Sequence, residues 1–247
     1  MYGRLATPET ARQFDPHVVE WTPEKIERFW NHNLPFMADS YFARSVGRSV
    51  IDHVSRGGPI GSAADIGCGQ GDLIGYLLER GHRVCGIDQS PDSVDAVERR
   101  FSGMPGFIGA SDGMTALEQV DTVFMLEVVE HMDDSALAKA LELAGQLLRP
   151  GGRLVLTTPN EEKLDQCWRV CPDCGCTFHH VQHVRSWSAP ALASHVSSFG
   201  FRTISCAATL FNPETRIPNW VARLGWKLLK GKLPHLIYIG ERQGARA

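Results

Sequence analysis

From Ala63 onward, short runs of apolar residues alternate with stretches in which apolar side chains recur every three to four positions. The runs Ala63–Gly67, Arg83–Asp88, Phe107–Ala110, Thr122–Val128 and Arg153–Thr158 are short and almost wholly apolar, the pattern of strands buried on both faces of a parallel sheet. Between them the spacing predicts helices over Asp72–Arg80, stopped by Gly81, over Pro91–Phe101, capped by Ser90, and over Ser135–Leu148, stopped by Pro150-Gly151-Gly152. This alternation implies βαβ units and hence one mainly parallel sheet. Further strands are expected near Thr203–Leu210 and His235–Gly240, with a helix capped by Ser188 before them and an amphipathic helix, Trp220–Lys230, between them. Upstream, Thr22-Pro23-Glu24 opens a helix with Thr22 as N-cap and Pro23 at its first position. Tyr41–Ser55 forms another, ended by Gly57-Gly58-Pro59. The organisation expected is a helical N-terminal cap over 1–60 and an α/β domain over 61–247. That domain carries a Cys/His-rich insertion at 160–187 and an amphipathic helical insertion at 212–233.

Composition adds little to this picture. A hydrophobic fraction of 43% with 21% charged residues is ordinary for a globular chain, and a net charge of -3 gives no general attraction to nucleic acid. No apolar run reaches the roughly 18 residues of a spanning helix, and the first residues lack the apolar stretch of a secretory signal. Four of seven cysteines crowd between Cys167 and Cys176, which suggests metal chemistry in a reducing cytoplasm rather than a disulfide framework.

The first strand runs into Asp65-Ile66-Gly67-Cys68-Gly69-Gln70-Gly71. Alternate glycines permit a sharp turn and close backbone approach to a ligand, and the following helix offers unpaired N–H groups. Asp88 ends the next strand, where a carboxylate can accept both hydroxyls of a ribose. An NAD site would want a third glycine where Asp72 stands. The loop, with Gly86-Ile87-Asp88, Ser111-Asp112-Gly113 and Leu148-Arg149-Pro150-Gly151-Gly152, instead resembles the class I S-adenosylmethionine-dependent methyltransferases over about Ala63–Pro159. The resemblance implies a Rossmann-like seven-stranded sheet with helices on both faces and a closing antiparallel hairpin. It implies that Asp65, Gly67 and Gly69 line the methionine part of the cofactor, that Asp88 holds the ribose, and that Asp112 and Gly113 sit beside the adenine.

Glu127-Val128-Val129-Glu130-His131 follows the fourth strand, and its polar positions share one face if the chain turns helical there. Two carboxylates and an imidazole at that crevice suit general base work or a divalent metal. The stretch resembles that of ubiquinone-biosynthesis O-methyltransferases. It is also similar to the E-x-x-E-H of small-RNA 3′-terminal 2′-O-methyltransferases, in which these residues and a later His hold a metal. That second resemblance implies a site of Glu127, Glu130, His131 and His183. Independently, Cys171-Pro172-Asp173-Cys174-Gly175 has the form of a zinc knuckle, and C-x2-C-x4-H-x3-H offers Cys171, Cys174, His179 and His183 as a tetrahedral zinc set. His183 is claimed by both sites.

The resulting expectation is methyl transfer from S-adenosylmethionine to a hydroxyl of a small molecule or glycan, with His131 as base or ligand and Glu127 and Glu130 supporting it. The rival readings are a metal-dependent RNA 2′-O-methyltransferase, which the charge does not favour, and a non-catalytic cofactor- or zinc-binding interaction protein. The basic amphipathic helix would allow peripheral membrane contact. Neither acceptor nor oligomeric state is legible.

Overall fold

The computed structural model describes residues 14–37, 41–113, 118–212 and 219–243; the side chains of 34, 35, 37, 219 and 220 lie outside that set, and with them the expected placement of Trp220. The elements are β1 (His17–Val18), α1 (Pro23–Met37), α2 (Phe42–Ser55), β2 (Ala63–Ile66), α3 (Asp72–Glu79), β3 (Val84–Ile87), α4 (Pro91–Phe101), β4 (Phe107–Ser111), β5 (Val120–Leu126), α5 (Asp134–Leu147), β6 (Leu148–Pro159), β7 (Trp168–Val170), β8 (Cys176–His179), α6 (Ala189–Ser197), β9 (Phe201–Thr209), α7 (Asn219–Lys230) and β10 (His235–Arg242).

Seven strands form one sheet in the order β4-β3-β2-β5-β6-β10-β9. The first five are parallel, and β10 runs antiparallel to both β6 and β9. Strand alternation divides the core between the two faces. Val123 and Met125 of β5 join Leu137 and Leu141 of α5 and Leu192 of α6, while Phe124 and Leu126 join Leu73 and Leu77 of α3 and Val50 of α2. Both faces are thereby covered, as the apolar runs predict, and the fold is Rossmann-like.

Caps close the helices where the sequence puts them. Ser90 Oγ accepts the Ser93 N–H and Ser188 Oγ accepts the Ala191 N–H, each at 3.4 Å, and Thr22 Oγ1 accepts the Lys25 N–H at 3.4 Å. Strand order reverses between β2 and β5, so their carboxyl ends frame a crevice, the usual place for a ligand in an open α/β sheet.

One departure from the sequence pattern is a second, three-stranded sheet, β1-β8-β7. Within the Cys/His-rich insertion β7 and β8 form a hairpin, and β1, ahead of the first helix, adds to β8 in parallel. These strands are two to four residues long. No helix among the described residues is long and apolar enough to cross a membrane. On α7, Leu224, Leu228 and Leu229 are exposed.

Candidate active site

The glycine loop after β2 is tied to the end of β3, where the Gly67 and Cys68 N–H groups both donate to the Ile87 carbonyl. Gly67 has φ 76°, and a Cβ there would lie 2.6 Å from Val128 Cγ2. Only glycine lets the loop press so closely against the segment that follows β5. Two halves of a site are thus held in contact.

Asp88, just beyond β3, is pinned by the backbone: Oδ2 accepts the Gly69 N–H and Oδ1 the Ser90 N–H, both at 2.9 Å. Burial raises its carboxyl above the ordinary range although both N–H groups pull the other way. Asp65 is buried at the end of β2, and burial, with Asp88 and Asp72 beside it, pushes its carboxyl well up. Asp112 and Gly113 follow β4 at the same edge, where Ser111 accepts the Asp88 N–H at 3.1 Å. Carboxylates crowded at one loop disfavour their own charge, and a cationic ligand relieves this. S-adenosylmethionine, with its sulfonium, ammonium and ribose hydroxyls, fits that set of acceptors. Tyr41 closes over the loop, its Oη 2.8 Å from where a Gly69 Cβ would lie. A cavity of about 540 Å³ opens beside it, among Tyr41, Gln70, Asp72 and Arg100.

On the other side of Val128 the chain passes through Glu127, at φ 53°, and reaches Glu130 and His131. A non-glycine residue in the left-handed region costs free energy and persists where surroundings enforce it. Here the Glu127 N–H is held by the Thr157 carbonyl at 3.0 Å. Glu130 is 1% exposed; Oε2 accepts the Thr158 hydroxyl at 3.0 Å, while Oε1 is buried with no hydrogen-bond partner. Burial, then the Glu127 carboxylate, push the Glu130 carboxyl well above its usual range.

His131 is packed edge-on against Trp30, with ring centroids 5.1 Å apart, and against His183 at 4.8 Å. Its Nδ1 lies 3.4 Å from the Gln182 carbonyl, which can only accept, so Nδ1 carries the hydrogen and Nε2 keeps its lone pair. Burial, reinforced by His183, lowers its pKa to about 3, so the ring is neutral at ordinary pH.

His183 joins this group from beyond β8, with Nε2 4.0 Å from Glu130 Oε1. Its Nδ1 meets Glu162 Oε2 at 2.5 Å, and His179, stacked on His183 at 4.6 Å, has Nε2 3.4 Å from Glu162 Oε1. Burial would raise the Glu162 carboxyl, but the His183 hydrogen bond and the neighbouring imidazoles outweigh it and hold it low. Burial, then His183, lower the His179 pKa to about 4.

The structure therefore brings Glu130, His131 and His183 together, each offering a ligand atom within 4.8 Å of the others. Glu127 falls outside that group and turns to His235, with Oε2 3.5 Å from Nδ1. The four residues proposed for zinc also separate: Cys171 and Cys174 group with Cys176, whereas His179 and His183 group with Glu162. The physical reason is the β8 strand. Side chains three apart on a strand point to opposite faces, so Cys176 and His179 diverge. Sequence reasoning missed Glu162, His235 and Gln182. None has a spacing signature, and Gln182 acts through long-range bonds, accepting the Trp30 Nε1–H at 3.1 Å and donating to the His131 carbonyl at 3.1 Å.

Comparison with known proteins bears on the family and the fold. Residues 24–206 match a methyltransferase domain family. A ubiquinone biosynthesis O-methyltransferase of Xylella fastidiosa is 30% identical over 120 residues, 44% of this chain and 47% of that protein. A methyltransferase of Aspergillus novofumigatus, nsrG, is 30% identical over 146 residues, covering 54% of each. The chain spans about half the length of these curated relatives. Among solved structures, a Burkholderia thailandensis 1,6-didemethyltoxoflavin-N1-methyltransferase with bound 1,6-didemethyltoxoflavin and S-adenosylhomocysteine has a TM-score of 0.58 at 20% identity, covering 92% of this chain and 93% of that one. The match over residues 24–206, on a sheet of this order, settles the family: the chain belongs to the class I S-adenosylmethionine-dependent methyltransferases and is an enzyme.

Proposed function

We propose that the protein methylates a hydroxyl oxygen of a small molecule or glycan, with His131 as the residue that engages that hydroxyl. The observation carrying this reading is the placement of His131, a half-buried imidazole whose Nδ1 faces the Gln182 carbonyl, which leaves the lone pair on Nε2, three residues from the contact between Val128 and Gly67. Bound S-adenosylmethionine supplies an electrophilic methyl group on its sulfonium. His131 Nε2 accepts the acceptor hydroxyl's hydrogen bond, aims an oxygen lone pair at the methyl carbon, and takes the proton as the C–O bond forms and the S–CH3 bond breaks, with S-adenosylhomocysteine as the leaving group. Its low basicity suffices because the methyl is already activated, and positioning carries much of the rate. Trp30 and Gln182 fix the ring. The names of the ubiquinone biosynthesis O-methyltransferase relatives support oxygen as first choice.

The unpartnered Glu130 Oε1 favours a second reading, in which His131 Nε2 is a ligand instead of the base: Glu130, His131 and His183 would hold a divalent cation, which would lower the pKa of a coordinated hydroxyl. The residues fit such an ion, since two imidazoles and one carboxylate are ordinary donors for it. The test is to incubate the enzyme with S-adenosylmethionine and a panel of phenols, catechols, sugars and amines, with and without added divalent metal, and to locate the new methyl by NMR. A methyl ether is expected. Methyl found only on nitrogen or carbon overturns the proposal.

A further inference from the structure

Three thiols that methyl transfer does not use meet in the loop joining β7 to β8. Cys171, Cys174 and Cys176 offer sulfurs within 4.8 Å of one another, and none is in a disulfide. The loop is built tightly around them: the Gly175 N–H donates to the Cys171 carbonyl at 2.9 Å and the Cys171 N–H to the Cys176 carbonyl at 2.8 Å. Gly175 sits at φ 81°, and a Cβ there would meet the Asp15 backbone at 2.7 Å. Three sulfurs held this close by a loop whose own backbone bonds fix its path form a ready set of ligands for one cation. Thiolates in a Pro/Gly-shaped loop select a soft or borderline ion, and in tetrahedral sites that ion is most often zinc.

We infer that Cys171, Cys174 and Cys176 bind one zinc ion, and that this ion staples the small sheet that carries α1 across the active site. The fourth tetrahedral position falls to a non-sulfur donor. The site is thiol-based, distinct from the Cys2His2 set that linear spacing suggests, and separate from the Glu130–His131–His183 group.

Its consequence follows from contacts one step away. β1 pairs with β8 at His17↔Cys176 and Val18↔Thr177, so the strand leading into α1 is anchored on the zinc loop itself. Trp21 and Phe29 each pack edge-on against Phe178 of β8, at 6.4 Å. Trp30, the next residue, covers His131. A three-stranded sheet with strands this short lacks the area to hold itself together, and small elements of this kind commonly depend on a metal.

The test uses the full chain, expressed in zinc-supplemented medium and purified without chelator. Metal is counted by mass spectrometry in wild type, Cys174→Ser and Glu130→Gln. About one zinc per chain is expected at the thiol loop; it disappears in Cys174→Ser and stays in Glu130→Gln. S-adenosylmethionine binding, measured by calorimetry, survives in Cys174→Ser, because the cofactor loop lies on the main sheet. In wild type, stepwise titration with a mercurial should release zinc in proportion to thiols modified, a readout that does not depend on any variant folding. Replacing zinc by Co2+ should give an intense sulfur-to-cobalt charge-transfer band. Absence of zinc after reconstitution, a zinc content in Cys174→Ser equal to that of wild type, or release not linked to thiol modification would each overturn the inference.

Discussion

Substituting Gly67 by alanine probes the contact on which the whole site rests. The added methyl incurs two separate costs. Gly67 has φ 76°, and an L-residue there loses about 1–2 kcal/mol. The Cβ would also lie 2.6 Å from Val128 Cγ2 and 3.1 Å from Cγ1, an overlap that the packed interior relieves only by shifting the loop or the segment after β5, at about 1–3 kcal/mol. The sum, about 2–5 kcal/mol, is a large share of a typical total stability of about 5–15 kcal/mol. Val128→Ala removes both offending carbons, so in the double variant the steric cost is returned and the backbone cost stays. Equilibrium urea unfolding of wild type, both single variants and the double variant gives the coupling. The expected interaction energy is about 1–3 kcal/mol in favour of the double variant, with unchanged m values. A loss below about 1 kcal/mol in Gly67→Ala, or no coupling to Val128→Ala, would refute the claim that the cofactor loop and the Glu127–His131 segment are locked together.

Three further outcomes follow. In metal-free protein, His131 has a folded pKa of about 3 against about 6.5 when unfolded, so the unfolded state binds its proton first as pH falls. Its stabilising effect is complete above pH 6.5 and declines by up to about 1.4 kcal/mol per unit as pH falls toward 3; the stability gap between wild type and His131→Gln should therefore narrow from pH 7 to pH 5, and a gap constant with pH would contradict the assignment. Asp88→Asn puts an amide where two backbone N–H groups donate to a carboxylate, and should weaken S-adenosylmethionine binding about 10–100-fold by calorimetry; an unchanged dissociation constant would remove Asp88 from the cofactor site. Glu162→Ala frees His183 Nδ1 and should lower turnover about 10–100-fold with cofactor affinity unchanged; full turnover would show that Glu162 positions nothing.

The main sheet was readable because buried parallel strands and amphipathic helices write their period into the sequence, and because Ser90 and Ser188 cap where their side chains can reach an N–H. The glycine loop and Asp88 were readable for a related reason, being local motifs tied to strand ends. The small sheet was not. His17, Val18 and Trp168–Val170 are exposed and lack an apolar alternation, so nothing local marks them as strands. The E-x-x-E-H motif points to Glu130, His131 and His183, but it places Glu127 with them as well, on one face if the chain turns helical there. The chain there takes a left-handed turn at Glu127 instead, which sends that carboxylate to His235. Glu162 adjoins the equally acidic Glu161, and only the folded path of the insertion shows which one reaches His183.

The central claim, that His131 serves the acceptor while the glycine loop serves the cofactor, is tested most directly by single-turnover methyl transfer with saturating S-adenosylmethionine, comparing wild type with His131→Gln. The account predicts a rate about 10²–10⁴-fold lower in the variant, with the same amount of cofactor bound. A rate within about threefold of wild type, or a loss wholly explained by weaker cofactor binding, would contradict it.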